Sequence, residues 1–288
     1  MLPIRQTPTY RFHWLWSLLP LVLLPACDLE REVDLKLPDY TPQVVVECYL
    51  QPGQPYALTL LRSVSYFDPV RIDYVKDAVV KIHHRGRTER LDMVGFPITL
   101  AGPGFEVQRP IFGDSLFFYL SAQLVQAEYD TDFELEITTP DGKQLSAKTR
   151  ILRPVSIDTL EYKFNDDSLA FLLTKFQDNP NEKNWYRRVL QKGTTRDEPD
   201  QDFTINDEIS NGQQITFGTA YNYKRGDTLI STLYHITKEY YDFRETIDAA
   251  FTANLSPFGQ PASIASNIQG GIGIFTGITF DRKQIIIR

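Results

Sequence analysis

The stretch Val44-Val45-Val46-Glu47-Cys48-Tyr49-Leu50 sets the fold class. Val44, Val46, Cys48 and Leu50 share one face by strict alternation, the period of a strand buried on one side. Cys48 then reads as a small buried hydrophobe. Its neighbour is Glu47, not a basic group that would activate a thiol. The same period recurs outward from this run. Gln51-Pro52-Gly53-Gln54-Pro55 is a turn. Residues 56–65 follow, with Tyr56, Leu58 and Leu60 on one face, and 76–83 put Ala78, Val80 and Ile82 inward against Val79, Lys81 and His83. Residues 116–124 and 133–138 are further strands, and Pro140-Asp141-Gly142-Lys143 turns the chain into 144–149. Short strands separated by regular turn signals predict a β-sandwich domain over 40–152.

Arg153-Pro154 marks a boundary, and 153–288 reads as a second β domain. Strands are expected at 158–164, 169–176, 185–191, 213–223 and 227–235, with Asn179 to Asn184 as a connecting loop. The stretch 194–208 carries Asp197, Glu198, Asp200, Asp202, Asp207 and Glu208, and predicts a mobile acidic loop. The period then changes. Ile236, Tyr240, Phe243, Ile247 and Phe251 follow helical spacing, which predicts a helix at about 237–254. Thr237 caps it, and Asn254 with Pro257 stops it. Its apolar stripe is expected to pack on the second domain's sheet. The tail, 266–277 and then 278–287, is glycine-rich strand. Gly271-x-Gly273 is not a phosphate loop, because strand and not helix follows it. The fold class is therefore mostly β: two β-sandwich domains, the second carrying one amphipathic helix.

The N-terminus gives an address. Arg5 and Arg11 precede the uncharged run Trp14 to Ala26, which is shorter than the roughly 20 apolar residues a membrane-spanning helix needs. It predicts a signal peptide over 1–26. The run closes with Leu24-Pro25-Ala26-Cys27, which resembles a bacterial lipobox, with Pro25 as its one departure. That resemblance implies cleavage before Cys27 and acylation of Cys27 on sulfur and amine. Stable anchoring takes more than one acyl chain, and a multiply acylated cysteine supplies it. Residues 27–39 are then the lipidated cysteine and a charged tether. The acidic residues after Cys27 resemble export signals that favour the cell surface of the outer membrane over its periplasmic face.

The formal charge is −7. Removing Arg5 and Arg11 with the leader leaves 28 basic against 37 acidic side chains, or −9. Such a body gains nothing from counterion release on nucleic acid, so no nucleic-acid partner is expected. Anionic lipid would repel it, so attachment falls to the acyl chains.

No catalytic set is legible. His83 and His84 are strand neighbours facing opposite ways, and His235 stands alone. There is no zinc-type Cys/His spacing and no G-x-S-x-G elbow. The acidic stretch does not match a calcium loop, though its oxygens are of the right type. A carboxylate pair for hydrolysis is not singled out among 37 acids. The chain reads as non-catalytic, without metal or cofactor. Aromatic side chains are the candidate ligand or partner contacts: Trp185, Tyr186, Tyr221, Tyr223 and Tyr241, at least one ring of each neighbouring set pointing outward. Ordinary sandwich packing is the competing reading.

Several runs together resemble the lipoprotein family catalogued as domain of unknown function 4249. They are Cys27, Val44-Val45-Val46-Glu47, Asp77-Ala78-Val79-Val80, the D-x-P-x-x-x-N-x-Y-like run from Asp178 to Tyr186, Tyr240-Tyr241-Asp242-Phe243, and Ser266-Asn267-Ile268-x-Gly270-Gly271-x-Gly273-Ile274-Phe275. The Asp178 run departs by an inserted spacing and by Trp185. The resemblance implies an immunoglobulin-like first domain and an envelope lipoprotein. It also implies a role beside a TonB-dependent outer-membrane β-barrel transporter, as an accessory or ligand-binding subunit in nutrient uptake. It carries over no catalytic residue. A structural or adhesive envelope lipoprotein, and a hydrolase with an unrecognised carboxylate pair, are the alternatives.

Overall fold

The computed structural model describes residues 40–65, 68–69, 71–97, 115–254 and 263–288. The leader, Cys27, the tether to residue 39 and Pro257 lie outside them. Thr41–Arg288 forms a compact unit, and it is mostly β with sandwich-like packing, as expected.

In the first half, β1 (Val44–Leu50), β2 (Pro55–Arg62), β3 (Asp73–Tyr74), β4 (Val79–His84), β5 (Arg87–Pro97), β6 (Ser115–Leu124), β7 (Asp132–Thr138) and β8 (Gln144–Arg150) follow in order. Gly53 and Gly142 hold the expected turns at positive φ, which only glycine adopts without strain. β5 has no counterpart in the sequence reading, since Leu91 is its only fully buried residue. It is nevertheless the hinge of the sandwich. Residues 87–91 pair with β4, and residues 92–97 pair with β6, so one strand serves both layers. Cys48, Leu58, Ile82, Phe133 and Ile137 fill the space between. Cys48 is fully enclosed and burial pushes its thiol far up, in keeping with an inert hydrophobe.

The second half has β9 (Thr159–Phe164), β10 (Ala170–Gln177), β11 (Trp185–Lys192), β12 (Pro199–Asn206), β13 (Gln214–Gly218), β14 (Thr228–Ile236), helix α1 (Lys238–Asn254), β15 (Ile272–Gly277) and β16 (Thr279–Ile286). A three-stranded sheet, β13-β10-β9, faces a four-stranded one, β12-β11-β14-β16. Phe176, Tyr186, Phe217 and Leu233 pack between them.

The structure differs from the expectations at three further places. The acidic stretch is not a mobile loop: residues 199–206 are the edge strand β12, paired along β11. Phe203 and Ile205 supply an inward period of two that the acids obscured. Asp202 is neutralised by a two-pronged bond from Arg187, Nε and Nη2 each at 2.6 Å. Secondly, α1 does not pack on the second half's sheet alone. Tyr240 and Phe243 cluster with Ile274 of β15, while Phe251, the last residue of the expected stripe, is 65% exposed. Thirdly, β15 leaves the second half. It runs parallel to β1, Val45 opposite Ile272 and Leu50 opposite Gly277, so the sheet of residues 40–152 includes residues 272–277.

The glycines of the tail explain that insertion. A Cβ on Gly273 would sit 2.0 Å from the Val46 carbonyl oxygen, and one on Gly277 would sit 2.4 Å from that of Arg150. Only a bare backbone fits between β1 and the segment after β8. Gln269 closes the gap further, bonding through its backbone to Ser146 of β8.

Candidate functional site

β15 brings the end of β8 close to the start of α1, and a cleft of about 590 Å3 opens between them. That volume lies within the range of small-ligand sites, which favour such junctions. One wall is Asp132 of β7 with Lys148 and Arg150 of β8. The other is the 182–185 loop, His235 at the end of β14, and Thr237 to Glu239 at the start of α1. Thr237 caps the helix, its Oγ1 accepting from Tyr240 N at 3.3 Å.

A buried polar network underlies the second wall. The Asp178 carboxylate is 1% exposed. It accepts the Tyr186 hydroxyl at 2.5 Å and the Gly212 amide at 2.7 Å. Asn184 donates from its backbone to Asp207 Oδ2 at 2.8 Å. Its side-chain Nδ2 donates toward the carbonyls of Asn179 and Glu182, each at 3.1 Å. These bonds hold loop 179–183 against loop 207–213, where Pro180 lies so near Gly212 that a Cβ there would be 2.7 Å away. His235 completes the network. Its Nε2 lies 3.0 Å from Asn184 Oδ1 and its Nδ1 lies 2.8 Å from the Arg153 carbonyl. Burial holds the His235 pKa below its ordinary value, against the pull of that carbonyl.

The conspicuous D-x-P-x-x-x-N-x-Y run thus acts from inside. Asp178, Asn184 and Tyr186 shape a loop, and each is at most 1% exposed. Asp207 and His235 belong to the same cluster, and no spacing in the sequence linked them to it. Sequence reasoning therefore missed the cleft. The one available signal was that Asp178, Asn184 and Tyr186 are polar groups next to apolar strand positions, which must find partners when buried.

The candidate aromatic contacts divide between surface and core. Trp185 is half-buried and lines the cleft. Tyr221 is exposed and Tyr241 half-buried, both available at the surface, though neither lines the cleft. Tyr186 and Tyr223 are corrected: they are 0% and 3% exposed and belong to the core of the second half. Tyr186 sits edge-on to Phe176 with ring centres 4.9 Å apart. As expected, His83 and His84 diverge, His84 stacking on Phe133 and His83 bonding Thr88. Of the acidic stretch, Asp197 caps the Thr194 turn, and Asp202 and Asp207 are engaged as above. Among the described residues no group of three or more His, Cys, Asp or Glu is placed to hold a metal. Among them too, no helix is long and apolar enough to cross a membrane.

The profile of the family "Domain of unknown function (DUF4249)" matches residues 30–284. No curated protein matches the sequence. Among solved structures, the chicken CNTN1 FN1-FN3 domains share 10% identity at a TM-score of 0.28, over 67% of this chain and 60% of that one. The chain thus spans less than two thirds of that protein. A chain of a cytokine receptor complex shares 8% identity at a TM-score of 0.26, over 84% and 96%.

Proposed function

The chain belongs to the domain of unknown function 4249 family, and from that premise we propose a non-catalytic, lipid-anchored protein of the outer membrane. It serves as the accessory or ligand-binding subunit of a TonB-dependent β-barrel transporter. The observation that carries this reading is Leu24-Pro25-Ala26-Cys27 at the end of a charge-free run, followed by a charged 28–39 and a compact body from Thr41. Acyl chains on Cys27 provide membrane affinity that an acidic body lacks. The tether sets the reach of the body, at the cell surface. The cleft beside Trp185 faces the ligand, and Tyr221 and Tyr241 offer surface rings to the barrel.

Two measurements test this. Cys27→Ser is expected to move the protein from the membrane pellet to the soluble fraction; retention in the pellet removes the lipid as anchor. The wild-type protein, purified from detergent-solubilised membranes, is expected to carry a β-barrel transporter with it. Recovery with other envelope proteins and no barrel turns the reading toward a structural or adhesive role.

A further inference from the structure

Charges line the cleft on both walls, and several are already engaged. Lys148 is paired with Glu134 at 2.6 Å, Lys238 with Asp242 at 2.5 Å, and Glu182 accepts from Asn179 Nδ2 at 2.9 Å. The side chains of Arg150 and Lys183, and of Asp132 and Glu239, make no ion pair or hydrogen bond among the described residues. Two are cations and two anions, and each wall carries one of each sign. Asp132 and Arg150 are directly opposite on β7 and β8, so their side chains emerge side by side, yet they are not joined. Trp185 adds a half-buried aromatic surface to the second wall.

This distribution selects among ligand classes. A simple anion would meet two carboxylates, and a simple cation two basic groups. A neutral polyol would leave the four charges, all on exposed residues, without a counter-charge. A ligand bearing both signs answers both sets. Arginine also matches a carboxylate with two parallel bonds.

We propose that the cleft binds a short peptide with free termini. Arg150 and Lys183 hold its α-carboxylate, Asp132 and Glu239 hold its α-ammonium group, and an apolar side chain lies against Trp185. This rests on the reading that the cleft faces the ligand, and it does not depend on the membrane partner.

The molecule carries its own reporter. The sequence has tryptophans at 14, 16 and 185 only, so Trp185 is the sole tryptophan after the leader. Fluorescence excited selectively at tryptophan, in the chain from residue 28 whose body from Thr41 is a compact unit, therefore reports the cleft. The probes are a mixed tripeptide pool with free termini, the same pool N-acetylated or C-amidated, and maltotriose. The free pool is expected to give a saturable change, and either block to weaken it at least tenfold. Arg150→Gln, which leaves Lys183 in place, is expected to narrow the difference between free and amidated pools, and Asp132→Asn, which leaves Glu239, to narrow that between free and acetylated pools. Neither change touches a bond in the fold, so the melting temperature stays as in the parent. Equal binding of free and blocked pools overturns the proposal, as does a saturable response to maltotriose with none to peptides. Failure to recover a barrel from membranes, in contrast, would leave the peptide result standing.

Discussion

Asn267 and Phe275 pair as though two strands met at a single residue. The Asn267 carboxamide donates from Nδ2 to the Phe275 carbonyl at 2.7 Å and accepts at Oδ1 from the Phe275 amide at 2.9 Å. β15 uses its other edge on β1, so this one side chain satisfies backbone groups that would otherwise lie half-buried and unpaired. Phe275 itself is fully buried in the first sandwich. Asn267→Ala is expected to cost about 1–3 kcal/mol, the loss expected when buried donors and acceptors go unmet. Urea unfolding monitored by circular dichroism measures it. A midpoint equal to that of the parent would mean that water replaces the carboxamide at no cost.

Gly273 is the least replaceable residue of the tail. Its φ is 118°, and the place a Cβ would take is 2.0 Å from the Val46 carbonyl oxygen. Gly273→Ala must therefore push β15 off β1, and is expected to cost more than about 3 kcal/mol or to prevent folding. Gly226, also at positive φ but with open space around it, is the control: Gly226→Ala carries the conformational strain without the collision. Comparison of the two melting temperatures separates strain from clash, and equal losses would place β15 elsewhere.

Removal of the Tyr186 hydroxyl leaves the Asp178 carboxylate one bond short in the interior. Tyr186→Phe is expected to destabilise by about 1–3 kcal/mol. Backbone amides of loops 179–183 and 207–213 are expected to exchange faster with solvent deuterium, while those of β1 and β2 keep their protection. Uniform loss of protection across both sheets would show that the network supports the whole body and not the loops alone.

His235 predicts a pH dependence with a definite sign. Its folded pKa lies below the ordinary histidine value because burial disfavours the charged ring. The unfolded chain then binds more protons, so the stability is fully present above the unfolded pKa, near 6.5. It is lost as pH falls from there through the folded value. A neutral ring has one hydrogen for two acceptors, Arg153 O and Asn184 Oδ1. A protonated ring serves both, which softens the loss without reversing it. The melting temperature is expected to decline between pH 7 and pH 5 in the parent and to decline less in His235→Gln. A rise on acidification in the parent would mean that the two acceptors outweigh burial.

The periods of the chain were legible wherever they are local. Val44 to Leu50, Val80 with Ile82, and the Pro140 to Lys143 turn all stand as read, because alternation and turn chemistry depend on near neighbours only. The start of the helix at Lys238 was legible for the same reason, in the Thr237 cap. β5 and β12 were not. Charged outward residues dominate them, and the few inward ones, Leu91, Phe203 and Ile205, show their role only against a facing sheet.

By itself, then, the sequence determined a mostly-β body, an inert Cys48, and a glycine-rich tail of strands that is not a phosphate loop. It marked Asp178, Asn184 and Tyr186 as a set without saying what they do. Only the tertiary structure decided that residue 272 lies beside residue 45, that the set is an internal brace reaching Asp207 and His235, and that a cleft opens next to Trp185. The physical reason is range. A strand's face follows from residues two apart, whereas a parallel pairing across more than two hundred residues depends on every layer packed between.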